Sequence, residues 1–204
     1  MNHLKMLGFA MLVTTALAAF AGTSTASATT LCRTGGFPES GCGAGKGEIN
    51  AASDNLELTS TNSVFKNSVS DVSCEDSEMT IDPATSTGAP VLAEVTKLAF
   101  HTKCETKSKQ PCTVEVFNLP YPVTIEGSTL TIKDSVGAGA RVKCGFLISC
   151  LFTTKEAPFM ISNVLFTTIT GTEIAFSRSG SLCPATASWN VTYSVTAPEG
   201  FTVK

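Results

Sequence analysis

The sequence predicts an all-β fold, an antiparallel β-sandwich or barrel-like domain of about ten short strands cross-linked by disulfides. Three observations support this prediction. Apolar and polar residues alternate with period two in many short segments. Apolar residues at helical spacing are not sustained anywhere after residue 28. Eight cysteines, an even number, follow a segment that has the features of an export signal.

The chain begins with the three parts of a secretory signal in their usual order. Lys5 supplies a positive charge, an apolar run starts at Met6, and the small residues Ala26-Ser27-Ala28 form a cleavage pattern. We therefore predict a signal peptide over residues 1–28. The apolar run is too short and too interrupted for a span of ~20 residues, so we expect no transmembrane anchor. The predicted location is secreted or extracellular, with association with the cell surface as an alternative.

Residues 29–204 are long enough for one domain with a core, and two small domains are the alternative. We predict a single secreted all-β domain there, with an irregular N-terminal loop over residues 29–50, because Arg33 to Gly47 contains six glycines. The segment Asp82 to Pro90 suits a long hairpin loop. The net charge is −3 for the full chain and −4 for residues 29–204, which lack Lys5, and it favours neither nucleic acid nor acidic membrane surfaces as a partner.

The strand candidates follow one another along the chain with turns between them. Trp189 to Val195 is the clearest, because its odd positions are large and apolar and its even positions are polar. Glu126 to Ser128 and Thr170-Gly171 are predicted tight turns. The other strand candidates are Leu56–Phe65, Ser68–Cys74, Val91–Phe100, Cys112–Val116, Tyr121–Ile125, Leu130–Lys133, Arg141–Phe152, Phe159–Thr168 and Thr172–Phe176.

All eight cysteines are candidates for disulfides, and counting alone leaves 105 pairings open. The candidates are Cys32, Cys42, Cys74, Cys104, Cys112, Cys144, Cys150 and Cys183. Local spacing favours Cys32 with Cys42, and Cys104 with Cys112 across the base of a hairpin. If the chain turns near Gly145, Cys144 pairs with Cys150 and Cys74 with Cys183, which we slightly favour; otherwise Cys144 and Cys150 reach to Cys74 and Cys183. The spacings are not those of a zinc site, so we expect no metal.

Few residues offer hydrolytic chemistry. His101 is the only histidine after the signal, and its strand position predicts a solvated ring near Lys97 and Lys103 rather than a catalytic base. Glu75, Asp76 and Glu78 form an acidic cluster, for which glycoside hydrolysis is a minor alternative to a solvated strand end. We predict no catalytic residue and no cofactor.

Carbohydrate binding would require exposed aromatic side chains or a charged patch. Trp189, Tyr193 and Tyr121 stand on apolar phases of their strands, so we expect them in the core. A hairpin tip with Lys103, Lys107 and Lys109 forms a small basic spot that could touch an anionic wall polymer, although a solvated tip is the preferred interpretation.

The cysteine segments together resemble a known group of sequences. The resemblance is carried by Cys104, Pro111 to Val114, Asn118 to Tyr121, Val142 to Gly145, Ile148 to Cys150, Cys183 to Ala185 and Trp189 to Val195, and more loosely by Leu31-Cys32. These segments are similar to a family of small exported proteins that are abundant in some soil actinobacteria and have no assigned activity. The resemblance implies export and a disulfide-linked β fold, and it implies no site residue.

Taken together, these observations predict a secreted or envelope-associated protein that is not an enzyme and has a structural or adhesive role. The alternative is a binding module for a wall polymer or a small ligand, and a secreted hydrolase is less favoured. A cell-wall polymer or another envelope protein is the expected type of partner, and nucleic acid is not expected.

Overall fold

The structure is a computed structural model that describes residues 27–35, 41–101, 103–145, 148–163, 167–179 and 183–204. The predicted signal peptide over residues 1–28 lies almost wholly outside this part. Every regular element is a strand, which confirms the all-β prediction, although the strands are more numerous than ten. They are β1 (Thr29–Thr34), β2 (Lys46–Glu48), β3 (Leu56–Ser60), β4 (Ser63–Asn67), β5 (Val72–Cys74), β6 (Ser77–Pro83), β7 (Thr87–Gly88), β8 (Val91–Phe100), β9 (Cys104–Thr106), β10 (Pro111–Phe117), β11 (Tyr121–Glu126), β12 (Thr129–Cys144), β13 (Ile148–Ser162), β14 (Thr168–Ser179), β15 (Thr186–Ala197) and β16 (Thr202–Val203).

Twelve strands form one antiparallel sheet that closes on itself. Four of them, β12 to β15, run its full length. On the other side of the ring, two shorter strands lie end to end in the place of each full-length strand. These pairs are β3 with β4, β5 with β6, β8 with β9, and β10 with β11. The last strand, β15, then pairs with both β3 and β4. The result is a barrel-like ring of eight strand positions that follow one another in chain order.

Alternation of side chains fills the interior of this ring. In β15 the buried residues are Ala187, Trp189, Val191 and Tyr193, and every second residue between them is more exposed. The Trp189 ring stacks on Phe65 with a centroid distance of 5.7 Å and meets Phe159 edge-on at 5.8 Å. The predicted core positions of Trp189, Tyr193 and Tyr121 are confirmed, since their exposures are 3%, 0% and 1%. This aromatic cluster fills the middle of the ring.

A second, small sheet covers one end of the ring. It consists of β16, β1 and β2, with β7 paired to β1. Leu31 and Val203 of this sheet, with the adjacent residues Ile49 and Phe201, are buried and belong to the same core as the ring. The backbone N–H of Gly127, in the β11–β12 turn, donates to Thr29 Oγ1 over 2.8 Å. In this sheet β1 and β16, the first and last strands of the described chain, pair with each other, and we call the sheet the plug.

Several local predictions differ from the structure. The N-terminal loop expected over residues 29–50 instead contains β1 and β2. The turn predicted at Thr170-Gly171 is wrong, because both residues lie inside β14. Gly171 marks a bulge in the β14–β15 register instead, and a Cβ there would lie 2.5 Å from Ile174 Cδ1. The strand predicted over 141–152 is divided between two strands, because β12 ends at Cys144 and β13 begins at Ile148.

The turn predicted at Glu126 to Ser128 is confirmed, since Gly127 has φ of 53° between β11 and β12. In the part of the chain that the structure describes, no helix has the length and apolarity needed to cross a bilayer.

Candidate functional site

At the end of the ring opposite the plug, the described residues surround a cavity of about 270 Å³. It lies between the β4–β5 connection, the β9–β10 connection, the end of β12, the start of β13 and Pro184, which precedes β15. Closed sheets of eight strands often bind one small ligand in this place, the mouth of the ring. We therefore take this mouth as the candidate site.

The lower wall of the mouth is apolar. Val72, Val142 and Phe152 are buried, with exposures of 3%, 5% and 4%, and the sulfur-bearing side chains of Cys144 and Cys150 lie beside them. Higher up, Ile148 and Pro184 continue the apolar lining. Val69 and Ile148 form an apolar lip, since they are 71% and 44% exposed.

The rim of the mouth is polar but uncharged. It is formed by Asn67, Ser70, Thr106, Ser108 and Gln110. Among the described residues that line the cavity, none has an ionisable acid or base. The site therefore suits a neutral molecule with an apolar body and a hydrogen-bonding head.

Hydrogen bonds within two loops hold this rim in place. Asn67 Oδ1 accepts from the backbone N–H groups of Val69 and Ser70 over 2.9 and 3.0 Å. On the facing hairpin, Thr106 Oγ1 accepts from the Gln110 N–H over 3.1 Å. Because these side chains organise their own loops, the rim is largely formed before a ligand arrives.

An ion pair joins the same two loops outside the cavity. Lys107 Nζ lies 2.8 Å from Asp71 Oδ2. On the same hairpin, Lys109 is paired with Glu105. The predicted basic spot at Lys103, Lys107 and Lys109 is thus largely neutralised by acidic neighbours, which weakens it as a site for an anionic polymer.

Three disulfides lie in the half of the ring that holds the mouth, and a fourth lies in the plug. The first three are Cys74–Cys104, Cys112–Cys144 and Cys150–Cys183, and the plug contains Cys32–Cys42. The described part of the chain has no free cysteine.

The pairing expected for Cys32 with Cys42 is confirmed. The alternative in which Cys150 reaches to Cys183 is also correct, but the favoured pairings of the other cysteines are wrong. Cys104 and Cys112 are not joined, Cys144 is not joined to Cys150, and Cys74 is not joined to Cys183. The reason is strand pairing: Cys74 is the register partner of Cys104, and Cys112 is the register partner of Cys144. Their Cα atoms are 4.0 and 4.1 Å apart, close to the spacing of directly opposite residues.

The acidic cluster does not form a pair of carboxylates around a cleft. Glu75 and Asp76 are exposed in the break between β5 and β6, and Glu78 lies on β6 beside Lys97 and His101. Lys97 Nζ and His101 Nε2 both lie 2.5 Å from Glu78 Oε1. The Lys97 ammonium is the main cause, and His101 a further one, of a Glu78 pKa below its ordinary value.

His101 was expected to be a solvated ring near Lys97 and Lys103. Its side chain is 49% exposed, and it shares the Glu78 carboxylate with Lys97. The histidine is therefore part of a surface ion-pair cluster away from the mouth.

A second, larger depression of about 570 Å³ lies between the plug and the ring, near Glu48 and Ser86. It is wide and shallow, and the Glu48 carboxylate already accepts hydrogen bonds from Ser86 and Thr87. The enclosed mouth is the better candidate, because a small ligand there would lose more contact with water.

Comparison of the chain with protein-family models, with curated proteins and with solved structures gives no match. The resemblance to exported proteins of soil actinobacteria stays a prediction. The fold class is all-β and disulfide-linked, and four disulfides indicate an oxidising environment. The mouth was not predicted from the sequence, because its residues come from connections that are far apart in the chain.

Proposed function

We propose that this protein is exported and binds a small, neutral, mainly apolar molecule in the mouth of the ring. The observation that carries the proposal is the contrast between the two ends of one core: the plug seals one end, and an uncharged apolar cavity opens at the other. This favours the small-ligand alternative over a purely structural or adhesive role. No catalytic function is proposed.

The size of the cavity limits the ligand. A cavity of roughly 150 Å³ holds one benzene molecule, so about 270 Å³ suits a ligand of roughly ten non-hydrogen atoms. With an upper limit of about 0.6 kcal/mol for each of these atoms, the most favourable binding free energy is about −6 kcal/mol. That value corresponds to a dissociation constant of tens of micromolar, on the order of 40 μM.

Straight-chain probes of equal length test the predicted chemistry. We expect 1-octanol to bind the oxidised protein in isothermal titration calorimetry, with one site. Octanoate and octylamine should bind at least about tenfold more weakly, because a charge would enter an apolar site that offers no counter-ion. Equal affinity for all three probes, or no binding of 1-octanol up to its solubility limit, would contradict the proposal.

A matched pair of variants tests the location. Ile148→Asp places a carboxylate on the lip, whereas Met160→Asp places one on the same strand, β13, at an exposed position outside the mouth. Both original side chains are exposed, at 44% and 59%, so neither change should unfold the protein. We expect Ile148→Asp to weaken 1-octanol binding about tenfold and Met160→Asp to leave it unchanged.

A further inference from the structure

Four of the cysteines form a single row across neighbouring strands just below the mouth. Cys74 of β5 lies opposite Cys104 of β9, Cys104 lies opposite Cys112 of β10, and Cys112 lies opposite Cys144 of β12. All four side chains are buried, with exposures between 1% and 8%. The outer neighbours are bonded in pairs, and the middle neighbours, Cys104 and Cys112, are not bonded to each other.

The middle position is also suitable for a disulfide. The N–H of Thr106 donates to the carbonyl of Gln110 over 3.0 Å, so these two residues form a hydrogen-bonded pair. Hydrogen-bonded and non-hydrogen-bonded pairs alternate along an antiparallel ladder, so Cys104 and Cys112, two residues further along, also form a hydrogen-bonded pair. Opposite residues at such a pair have Cα atoms about 5.5 Å apart. Disulfides commonly join Cα atoms at that separation.

Only one end of the row borders the cavity. Cys144 lines the mouth, whereas Cys74, Cys104 and Cys112 do not. Cys150 also lines the mouth, but its disulfide with Cys183 lies outside the row. Within the row, Cys144 is the residue that a small thiol in the mouth can reach, and attack on its sulfur breaks the Cys112–Cys144 bond, so the sulfur that leaves is that of Cys112. This geometry gives thiol exchange a direction along the row.

We propose that Cys144 is a thiolation site from which disulfide exchange passes along the row. The thiolate of a low-molecular-weight thiol attacks Cys144 Sγ, forms a mixed disulfide there and releases the Cys112 thiolate. Cys112 Sγ then attacks Cys104 Sγ, forms Cys104–Cys112 and releases Cys74, which takes up the proton that the incoming thiol lost. One thiol is consumed and one protein thiol appears, so neither an oxidant nor a reductant is needed.

The exchange changes what holds one wall of the mouth. Before it, the β9–β10 hairpin is bonded to β5 on one side and to β12 on the other. After it, the hairpin carries one internal disulfide and is held to both neighbouring strands by hydrogen bonds alone. Thr106, Ser108 and Gln110 of this hairpin line the cavity, so exchange should also lower ligand affinity, a consequence that rests on the proposed function.

Limited reaction of the oxidised wild-type protein with 2-mercaptoethanol tests the exchange without any ligand. After quenching with acid and alkylation with iodoacetamide, we expect non-reducing peptide mass spectrometry to find Cys74 alkylated, Cys104 linked to Cys112, and Cys144 carrying the mercaptoethanol. If Cys112 or any cysteine other than Cys74 is the first to be alkylated, the proposal is wrong.

Two double variants test the geometry of the row. In Cys74→Ser with Cys144→Ser, we expect Cys104 and Cys112 to form a disulfide and the reaction with Ellman's reagent to find neither thiol free. The matched control is Cys104→Ser with Cys112→Ser. In this variant the other two cysteines of the row, Cys74 and Cys144, are three strand spacings or about 14 Å apart, so both of their thiols should stay free. Free Cys104 and Cys112 thiols in the first variant would overturn the proposal. Failure of 1-octanol to bind would refute the proposed function and leave these readouts intact.

Discussion

The hydroxyl of Tyr121 and the backbone of Gly139 are joined across the point where one side of the ring is interrupted. Gly139 N–H donates to Tyr121 Oη over 3.2 Å, and the same hydroxyl donates to the carbonyl of Phe117. Phe117 ends β10 and Tyr121 begins β11, so the side chain restores hydrogen bonds where the strand is broken. The uninterrupted strand β12 is thereby tied to both halves of its neighbour.

Removing this hydroxyl should destabilise the fold. In Tyr121→Phe, the buried N–H of Gly139 and carbonyl of Phe117 lose their side-chain partner, and we expect a loss of about 1–3 kcal/mol in the free energy of unfolding. Tyr193→Phe is the matched control. Its hydroxyl is fully buried and faces Ser63 and Ser77, but it has no hydrogen bond of good geometry in the described part of the chain. Urea unfolding should show a clearly smaller loss, or none, for Tyr193→Phe.

A methyl group at Gly171 should also destabilise the protein. Its Cβ would lie 2.5 Å from Ile174 Cδ1 and 2.8 Å from Phe159 Cε1, inside the packed core. We expect Gly171→Ala to cost about 1–3 kcal/mol through overpacking. Gly41→Ala is the control, because its Cβ would find its nearest neighbour at 3.5 Å, an ordinary contact. A Gly171→Ala variant as stable as the wild type in thermal unfolding would contradict the packing argument.

Much of the fold could be predicted from the sequence, because period-two alternation is a local property. The β15 pattern around Trp189 predicts both the strand and the buried face correctly. Glycine was less informative, since a glycine in a turn and a glycine in a crowded strand look alike in a sequence. Gly127 is the first kind and Gly171 is the second.

The disulfides and the mouth depend on which strands become neighbours, and local patterns do not contain this information. Cys104 and Cys112 are near in sequence and opposite in the sheet, yet each is bonded to the strand on its other side. The mouth likewise combines residues from Asn67 to Pro184. Only the closure of the ring brings them together, which is why the sequence predicted neither the cavity nor its uncharged lining.

The disulfides should differ in their contribution to stability according to the loops they close. Cys150–Cys183 has a sequence separation of 33 and Cys32–Cys42 one of 10. In the chain-entropy relation these separations correspond to about 3.7 and about 2.7 kcal/mol. We therefore expect the double Cys→Ser variant at Cys150 and Cys183 to unfold at lower urea concentration than the one at Cys32 and Cys42. The reverse order would show that native-state packing in the plug outweighs chain entropy.

Acid should weaken the fold partly through Glu78. The Lys97 ammonium, together with His101, lowers the pKa of this carboxyl from its ordinary value of 4.5. A carboxyl with a lower pKa in the folded state stabilises the protein fully above the unfolded-state pKa, and this contribution is lost as the pH falls through the folded-state pKa. Glu78→Gln should therefore lower the melting temperature at pH 6 and make little difference at pH 2. Glu94→Gln, at an exposed position on the neighbouring strand β8, serves as the control. A Glu78→Gln effect of equal size at both pH values would show that the side chain acts through packing instead of charge.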